Sequence, residues 1–260
     1  MKIVLIGAGN VAIHLGRKLV AAGEVIVQVF SRSILKAGQL SMQLDATGYT
    51  NALEGIRPNA DLYIIAVHDD AIGEVANSLV KNGIWNKLVV HTSGATPMRV
   101  FQESAPQLTK FGVFYPLQTF SKTQQPDFNQ VPICIDAEAG ESLDVLHSLA
   151  HKISPKVFTV NDPQRATLHL AAVFVNNFTN HLFHIGENIL KEGNLPFDML
   201  LPLIHETIAK LEGGPPAIMQ TGPAIRHDVL TIQRHLQQLD NHPQWHEIYQ
   251  LLTKSIQATA

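Results

Sequence analysis

Short apolar, β-branched runs alternate with helical periodicity over the first 160 residues, and beyond them the short runs stop. Lys2–Ile6, Val25–Phe30, Asp61–Val67, Leu88–His91, Thr109–Phe114, Val131–Ile135 and Lys156–Val160 read as strands. Asn10–Ala21 reads as a helix with Val11, Leu15, Leu19 and Val20 on one face. Asp69 or Asp70 is placed to cap another that runs to about Val80. Near-continuous apolar strands separated by helices predict a parallel sheet covered on both faces. From Asp162, a cap candidate, and Pro163 onward no strand is expected. One helix is predicted from Pro163 to about Lys191 with Gly193 as its stop, and a second follows Pro196 and ends before Gly213. Further helices start near Ala224 and after Pro243. The expectation is an α/β chain: a Rossmann domain with a doubly wound, mostly parallel sheet over residues 1–160, and an all-α domain over 161–260.

The first strand runs straight into Gly7-Ala8-Gly9-Asn10-Val11-Ala12, a G-x-G-x-x-A loop that opens a helix. Gly7 permits the tight turn and Gly9 lets backbone approach a pyrophosphate. Ala12 is small enough for helix to meet strand, and Asn10 and Val11 begin the helix whose free N–H groups face the phosphates. The end of the second strand selects the cofactor. A carboxylate there would bond the ribose 2′-hydroxyl of NAD, but this chain has Ser31-Arg32-Ser33. Arg32 suits a 2′-phosphate and the serines can donate to it, so the expected cofactor is NADP.

Ligands of open α/β sheets lie outside the carboxyl ends of the strands. Ala66, Val67 and His68 end one strand and are expected against the cofactor. Thr92 and Ser93 follow another, and Tyr115 a third. On the long helix, His169, Ala172, Asn176, Asn180 and His184 recur at three- and four-residue spacing, a polar stripe that reads either as a cleft wall or as a solvated face. Thr221-Gly222-Pro223-Ala224 reads first as a turn.

Bulk properties narrow the classes. Hydrophobic residues make up 45% and charged residues 16%, a globular composition. A net charge of −3 with no basic run argues against nucleic acid as a partner. One cysteine, Cys134, no export signal and no membrane-length apolar run lead to the expectation of a cytoplasmic protein without membrane contact. The 13 histidines show no metal-ligand spacing, so no metal is expected. A helix of nearly 30 residues would run for about 40 Å at ~1.5 Å per residue, long for this domain, so a homodimer through the helical domain is expected.

Gly7–Ala12, Ser31-Arg32-Ser33, Ala66–Ile72, His91-Thr92-Ser93-Gly94-Ala95, Pro116–Phe120 and Thr221–Ala224 together resemble bacterial Rossmann-like proteins with a C-terminal helical domain of unknown function. That family is similar in layout to pyrroline-5-carboxylate reductase, deazaflavin-dependent NADP reductases, prephenate dehydrogenase and β-hydroxyacid dehydrogenases. The resemblance implies an NADP-type domain, a helical dimerisation domain and an oxidoreductase acting on a small molecule such as an imine, keto acid or hydroxy acid. The β-hydroxyacid dehydrogenases carry a helix Lys four residues before an Asn. Here Asn176 stands at the Lys position and Asn180 at the Asn, and Tyr115 stands where many relatives have His. Hydride transfer to a carbonyl or imine needs a proton donor. His169 is the expected donor because imidazole titrates near neutral pH. Asn176, Asn180 and Ser93 are expected to orient substrate, with Tyr115 and His68 as reserve acids. The missing Lys also supports a non-catalytic NADP sensor, and the glycine loop alone is compatible with another nucleotide-containing ligand.

Overall fold

A computed structural model describes residues 1–259 of the chain. Eight strands form one sheet in the order β3-β2-β1-β4-β5-β6-β7-β8. They are β1 (Lys2–Ile6), β2 (Val25–Phe30), β3 (Tyr49–Thr50), β4 (Leu62–Ile65), β5 (Leu88–His91), β6 (Lys110–Pro116), β7 (Ile133–Ala137) and β8 (Val157–Thr159). All neighbours pair in parallel except β6 and β7, which are antiparallel. The order reverses at β1, between β2 and β4, and this switch point is where a doubly wound fold binds its ligand.

Alternation explains the two-sided burial. Ile3 and Leu5 of β1 join one apolar cluster with Leu62 and Ile64, while Val4 and Ile6 join another with Tyr63 and Ile65. Helices cover both faces: α1 (Asn10–Ala21), α2 (Ile34–Gln43), α3 (Ile72–Lys81), α4 (Arg99–Ser104) and α5 (Gly140–Ile153). Leu15 and Leu19 of α1 are buried in the first cluster, and Ile72, Val75 and Leu79 of α3 in the second.

Two caps differ from expectation. Neither Asp69 nor Asp70 caps α3: they lie in a preceding 3₁₀ turn, Asp69–Ala71, and α3 has no side-chain cap. At α6 (Asp162–Ala172) the cap is Asn161, one residue before Asp162. Its Oδ1 accepts from Gln164 N at 3.0 Å, and Gln164 Oε1 accepts from Asn161 N at 3.0 Å. This capping box frees the Asp162 carboxylate for other partners.

A π-helical stretch, Val173–Phe178, follows α6 and leads into α7 (Thr179–Glu192). Three more helices complete the chain: α8 (Leu201–Ala209), α9 (Val229–Gln238) and α10 (Pro243–Ala258). The helix expected near Ala224 starts later, at Val229, where Asp228 Oδ1 accepts from Thr231 N at 3.1 Å. The chain divides into two compact units, Met1–Asn176 and the remainder from Asn177. The strands end at Thr159, and the first turns of α6 stay with the sheet because Arg165 bonds Thr96 in the loop after β5 and His169 bonds Tyr115 of β6. No helix of the described residues is long and apolar enough to cross a membrane.

Candidate functional site

The glycine loop is built by a close approach. Gly7 has φ +123° and its N–H donates to Phe30 O at 2.8 Å. A Cβ there would lie 2.1 Å from Ala66 O, so the β1–α1 and β4–α3 turns touch backbone to backbone. At Gly9, by contrast, an added Cβ would meet nothing within 4 Å. That open cradle, at the exposed N-cap of α1 where the first helical N–H groups lack intrahelical partners, fits a pyrophosphate. Val11 packs onto the first core cluster. The Asn10 amide is tied to the β6–β7 loop, its Nδ2 donating to Phe120 O at 2.8 Å. One turn on, His14 Nε2 bonds Ser121 O at 2.7 Å and its ring stacks on Phe120. The segment after Pro116 is thereby fixed beside the glycine loop.

At the end of β2, Ser33 caps α2 with its Oγ accepting from Lys36 N at 3.4 Å, and Ser31 Oγ accepts from Ser33 N at 3.3 Å. Arg32 between them is exposed and has no side-chain partner among the described residues. Its guanidinium is therefore available to an anion at the switch point. Ala66 and Val67 follow β4 and pack on the core, while His68 is exposed.

A second group of residues sits at the ends of β5 and β6. Thr92 is buried and its N–H donates to Ile65 O at 3.1 Å. Ser93 is a hub of its loop: its hydroxyl donates to Asp69 Oδ2 at 2.8 Å and accepts from Ala95 N at 3.1 Å and Thr96 N at 2.9 Å. Its proton is thus committed to Asp69. Tyr115 Oη and His169 Nδ1 are 3.2 Å apart. Burial pushes the Tyr115 phenol up to about 12, helped by Cys134 and Asp69 and opposed by the Arg165 guanidinium. It stays protonated near neutral pH. Gly94 is what lets this pair meet, because a Cβ there would fall 2.6 Å from His169 Nδ1 and 2.7 Å from Tyr115 Cζ.

His91 is fully buried, its Nδ1 accepts from Ser93 N at 3.2 Å, and its Nε2 has no partner. Burial first, then the Arg165 guanidinium, holds it down to about 3, so the ring is neutral. Asn176 lies in the π-helical stretch, half-buried, and Asn180 lies in the second unit, exposed. The π turn interrupts the α-helical spacing, so the count from His169 to Asn176 does not carry on to Asn180 and His184. Gly94, Arg165, Asp162, Asp69 and the His14–Phe120 contact were not anticipated. Gly94, Asp69 and Phe120 fall within motifs noted above and Asp69 and Asp162 are cap candidates, but none is marked for these contacts, and Arg165 carries no signal. Among the described residues no group of three His, Cys, Asp or Glu side chains is placed to hold a metal.

Two family models match the chain. Residues 2–94 match a family described as NADP oxidoreductase, coenzyme F420-dependent, and residues 131–256 match a domain of unknown function, DUF2520. A solved structure of a candidate NADP oxidoreductase from Bacteroides fragilis is 42% identical, with a TM-score of 0.93 over 99% of this chain and 98% of that one. A pyrroline-5-carboxylate reductase from Coxiella burnetii shares the fold at 14% identity, with a TM-score of 0.60 over 98% of this chain and 97% of that one. So does an Aspergillus terreus reductive aminase in complex with NADPH and ethyl-5-oxohexanoate, at 14% identity and a TM-score of 0.59 over 82% and 74%. No curated protein matches the chain.

Proposed function

The chain belongs to the family that joins an N-terminal domain of the coenzyme F420-dependent NADP oxidoreductase type to a C-terminal DUF2520 domain, and on that premise we propose that it is an NADP(H)-dependent oxidoreductase. Its substrate is a small imine, keto acid or hydroxy acid. The observation that carries the cofactor assignment is the exposed, unpartnered Arg32 at the end of β2, in place of a carboxylate, with the open cradle at Gly9 beside it. Names of related proteins support the same class: pyrroline-5-carboxylate reductase, imine reductase and a reductive aminase holding NADPH.

A bound nicotinamide supplies or accepts the hydride. The chain's part is to bind and orient it and to handle the proton that balances the hydride. In the reducing direction the substrate carbon gains hydride and its nitrogen or oxygen gains a proton. His169 Nε2 gives that proton. It does so from the charged ring, whose Nδ1–H donates to the Tyr115 oxygen, and after the transfer the neutral ring keeps its remaining proton on Nδ1 and that bond with it. Either way the 3.2 Å contact fixes the imidazole and leaves Nε2 for the substrate. Ser93 keeps the loop in shape through Asp69, and Asn176 orients substrate.

The protein works as a homodimer through its helical unit. The support is the apolar surface of that unit: Leu203, Ile218, Val229, Leu230 and Leu251 are all more than half exposed.

A panel of cyclic imines, 2-oxo acids and 2-hydroxy acids, with NADPH or NADP followed by absorbance, tests this reading. Turnover that falls at least about a hundredfold in His169→Ala is expected, within the range a general acid contributes. NADPH binding with no turnover on any member would favour the sensor reading that Asn176, at the Lys position, supports.

A further inference from the structure

One set of buried polar groups is left over once the glycine loop and the Tyr115–His169 pair are accounted for. Arg165, in the first turns of α6, is 1% exposed. Its Nη2 donates to Thr96 O at 2.7 Å and to Asp162 Oδ1 at 2.6 Å. The other carboxylate oxygen, Asp162 Oδ2, accepts from Met98 N at 2.8 Å. The bonds to Thr96 and Met98 run from α6 to one stretch of chain, the loop that follows β5, and the Arg165–Asp162 pair ties the two together within the helix. The same loop carries Ser93, fixed by Asp69, and Gly94, which lies against both rings of the Tyr115–His169 pair.

His169 is one helical turn beyond Arg165, on the same side of α6. Whatever fixes the first turn of α6 against the Thr92–Met98 loop therefore fixes where His169 meets Gly94 and Tyr115. Arg165 is an expensive way to hold a helix. Its Nε and Nη1 are buried without partners among the described residues, and unpaired buried donors forfeit the hydrogen bonds water would give them. An apolar residue of similar length would pack there at less cost. The cost is accounted for if the bonds it makes set a geometry that an apolar residue would leave loose.

We propose that Arg165 and Asp162 are positioning residues that hold His169 Nδ1 at the Tyr115 hydroxyl by locking the first turn of α6 onto the Thr92–Met98 loop. This rests on the reading of Tyr115 and His169 as the proton-handling pair. Cys134 and Asp69 are the other titratable groups acting on Tyr115, while His91, Asp136 and Asp162 lie around Arg165. The guanidinium is the cation within reach of Tyr115, His91, Cys134 and Asp136.

The test is a double-mutant cycle on the full-length protein. The His169 ring nitrogen signals, assigned by their loss in His169→Gln, are recorded by NMR at fixed pH with and without Tyr115→Phe, in the native and the Arg165→Met backgrounds. Tyr115→Phe removes the partner of Nδ1 and is expected to shift the Nδ1 resonance in the native background. Most of that shift is expected to vanish in Arg165→Met, and part of it in Asp162→Asn. Asp162→Asn also keeps an acceptor for Met98 N, which guards against a variant that fails to fold. A merely structural role would lower the melting temperature and leave the coupling intact. An equal shift in both backgrounds overturns the proposal. No shift in either overturns it together with the pair it rests on, an outcome separable from the cofactor reading because NADPH binding is measured on the same samples.

Discussion

Ile3, Val4, Leu5 and Ile6 are each 0% exposed, shared alternately between two faces of a sheet, whereas Leu203, Leu230 and Leu251 leave 62%, 67% and 70% of their surface to solvent. The first unit completes its own core on both sides of the sheet. In the second, the buried apolar residues are Ile185, Ala224 and Leu239 among those described, too few to close a core around four helices. The sheet unit holds its own geometry, with contacts as tight as Gly7 on Ala66. The helical unit has formed helices, yet most of its large apolar side chains stay exposed.

Four sets of substitutions act on the two units in turn. The largest effect is expected from Gly7→Ala. It adds a Cβ onto the Ala66 carbonyl at a positive φ, and should cost about 3 kcal/mol or more of stability, with cofactor binding lost. A near-native melting temperature would show that the turn can relax. His91 should make the sheet unit sensitive to acid. Its ring is neutral in the folded state down to about pH 3, while an unfolded histidine takes up a proton below its ordinary value of 6.5. The folded pKa is depressed, so this contribution is present above pH 6.5 and lost as pH falls toward 3, on the order of a few kcal/mol. Denaturant unfolding of His91→Phe between those limits should show a shallower decline than the parent; parallel curves would contradict the burial argument.

Leu230→Asp with Leu251→Asp is directed at the other unit. Light scattering should show a dimer become a monomer or an aggregate while the sheet unit's NADPH affinity stays within about threefold. A monomeric parent chain would end the account of the exposed face as a subunit interface. The smallest effect is Ser93→Ala. It removes three loop hydrogen bonds around one hydroxyl and should cost roughly 1–2 kcal/mol, read as a drop in melting temperature with little change in cofactor affinity.

The parts legible in the sequence are those set by local pattern. Every long strand and α1 follow from apolar runs and from the glycine loop, and Arg32 stands out because a residue type is swapped at a position with a known task. Contacts between distant segments were not legible. Nothing in the first turn of α6 marks Arg165, and only the fold reveals its bond to Thr96 in the loop after β5 and its pairing with Asp162. Asp162 reads as a cap until the neighbouring Asn161 is seen to take that role. Gly94 reads as a turn former, yet what requires it is the approach of two rings from β6 and α6. The π-helical stretch at Val173–Phe178 has no periodic signature, so a face traced by simple counting runs on past the point where the spacing changes.

Calorimetric titration of the purified protein with NADPH and NADH, beside Arg32→Asp, asks whether NADP binds at the switch point through Arg32. NADPH should bind more tightly than NADH, and the substitution should weaken NADPH at least tenfold, about 1.4 kcal/mol, while leaving NADH nearly unchanged. Equal affinity for the two cofactors, or NADPH binding unaltered in Arg32→Asp, would contradict it.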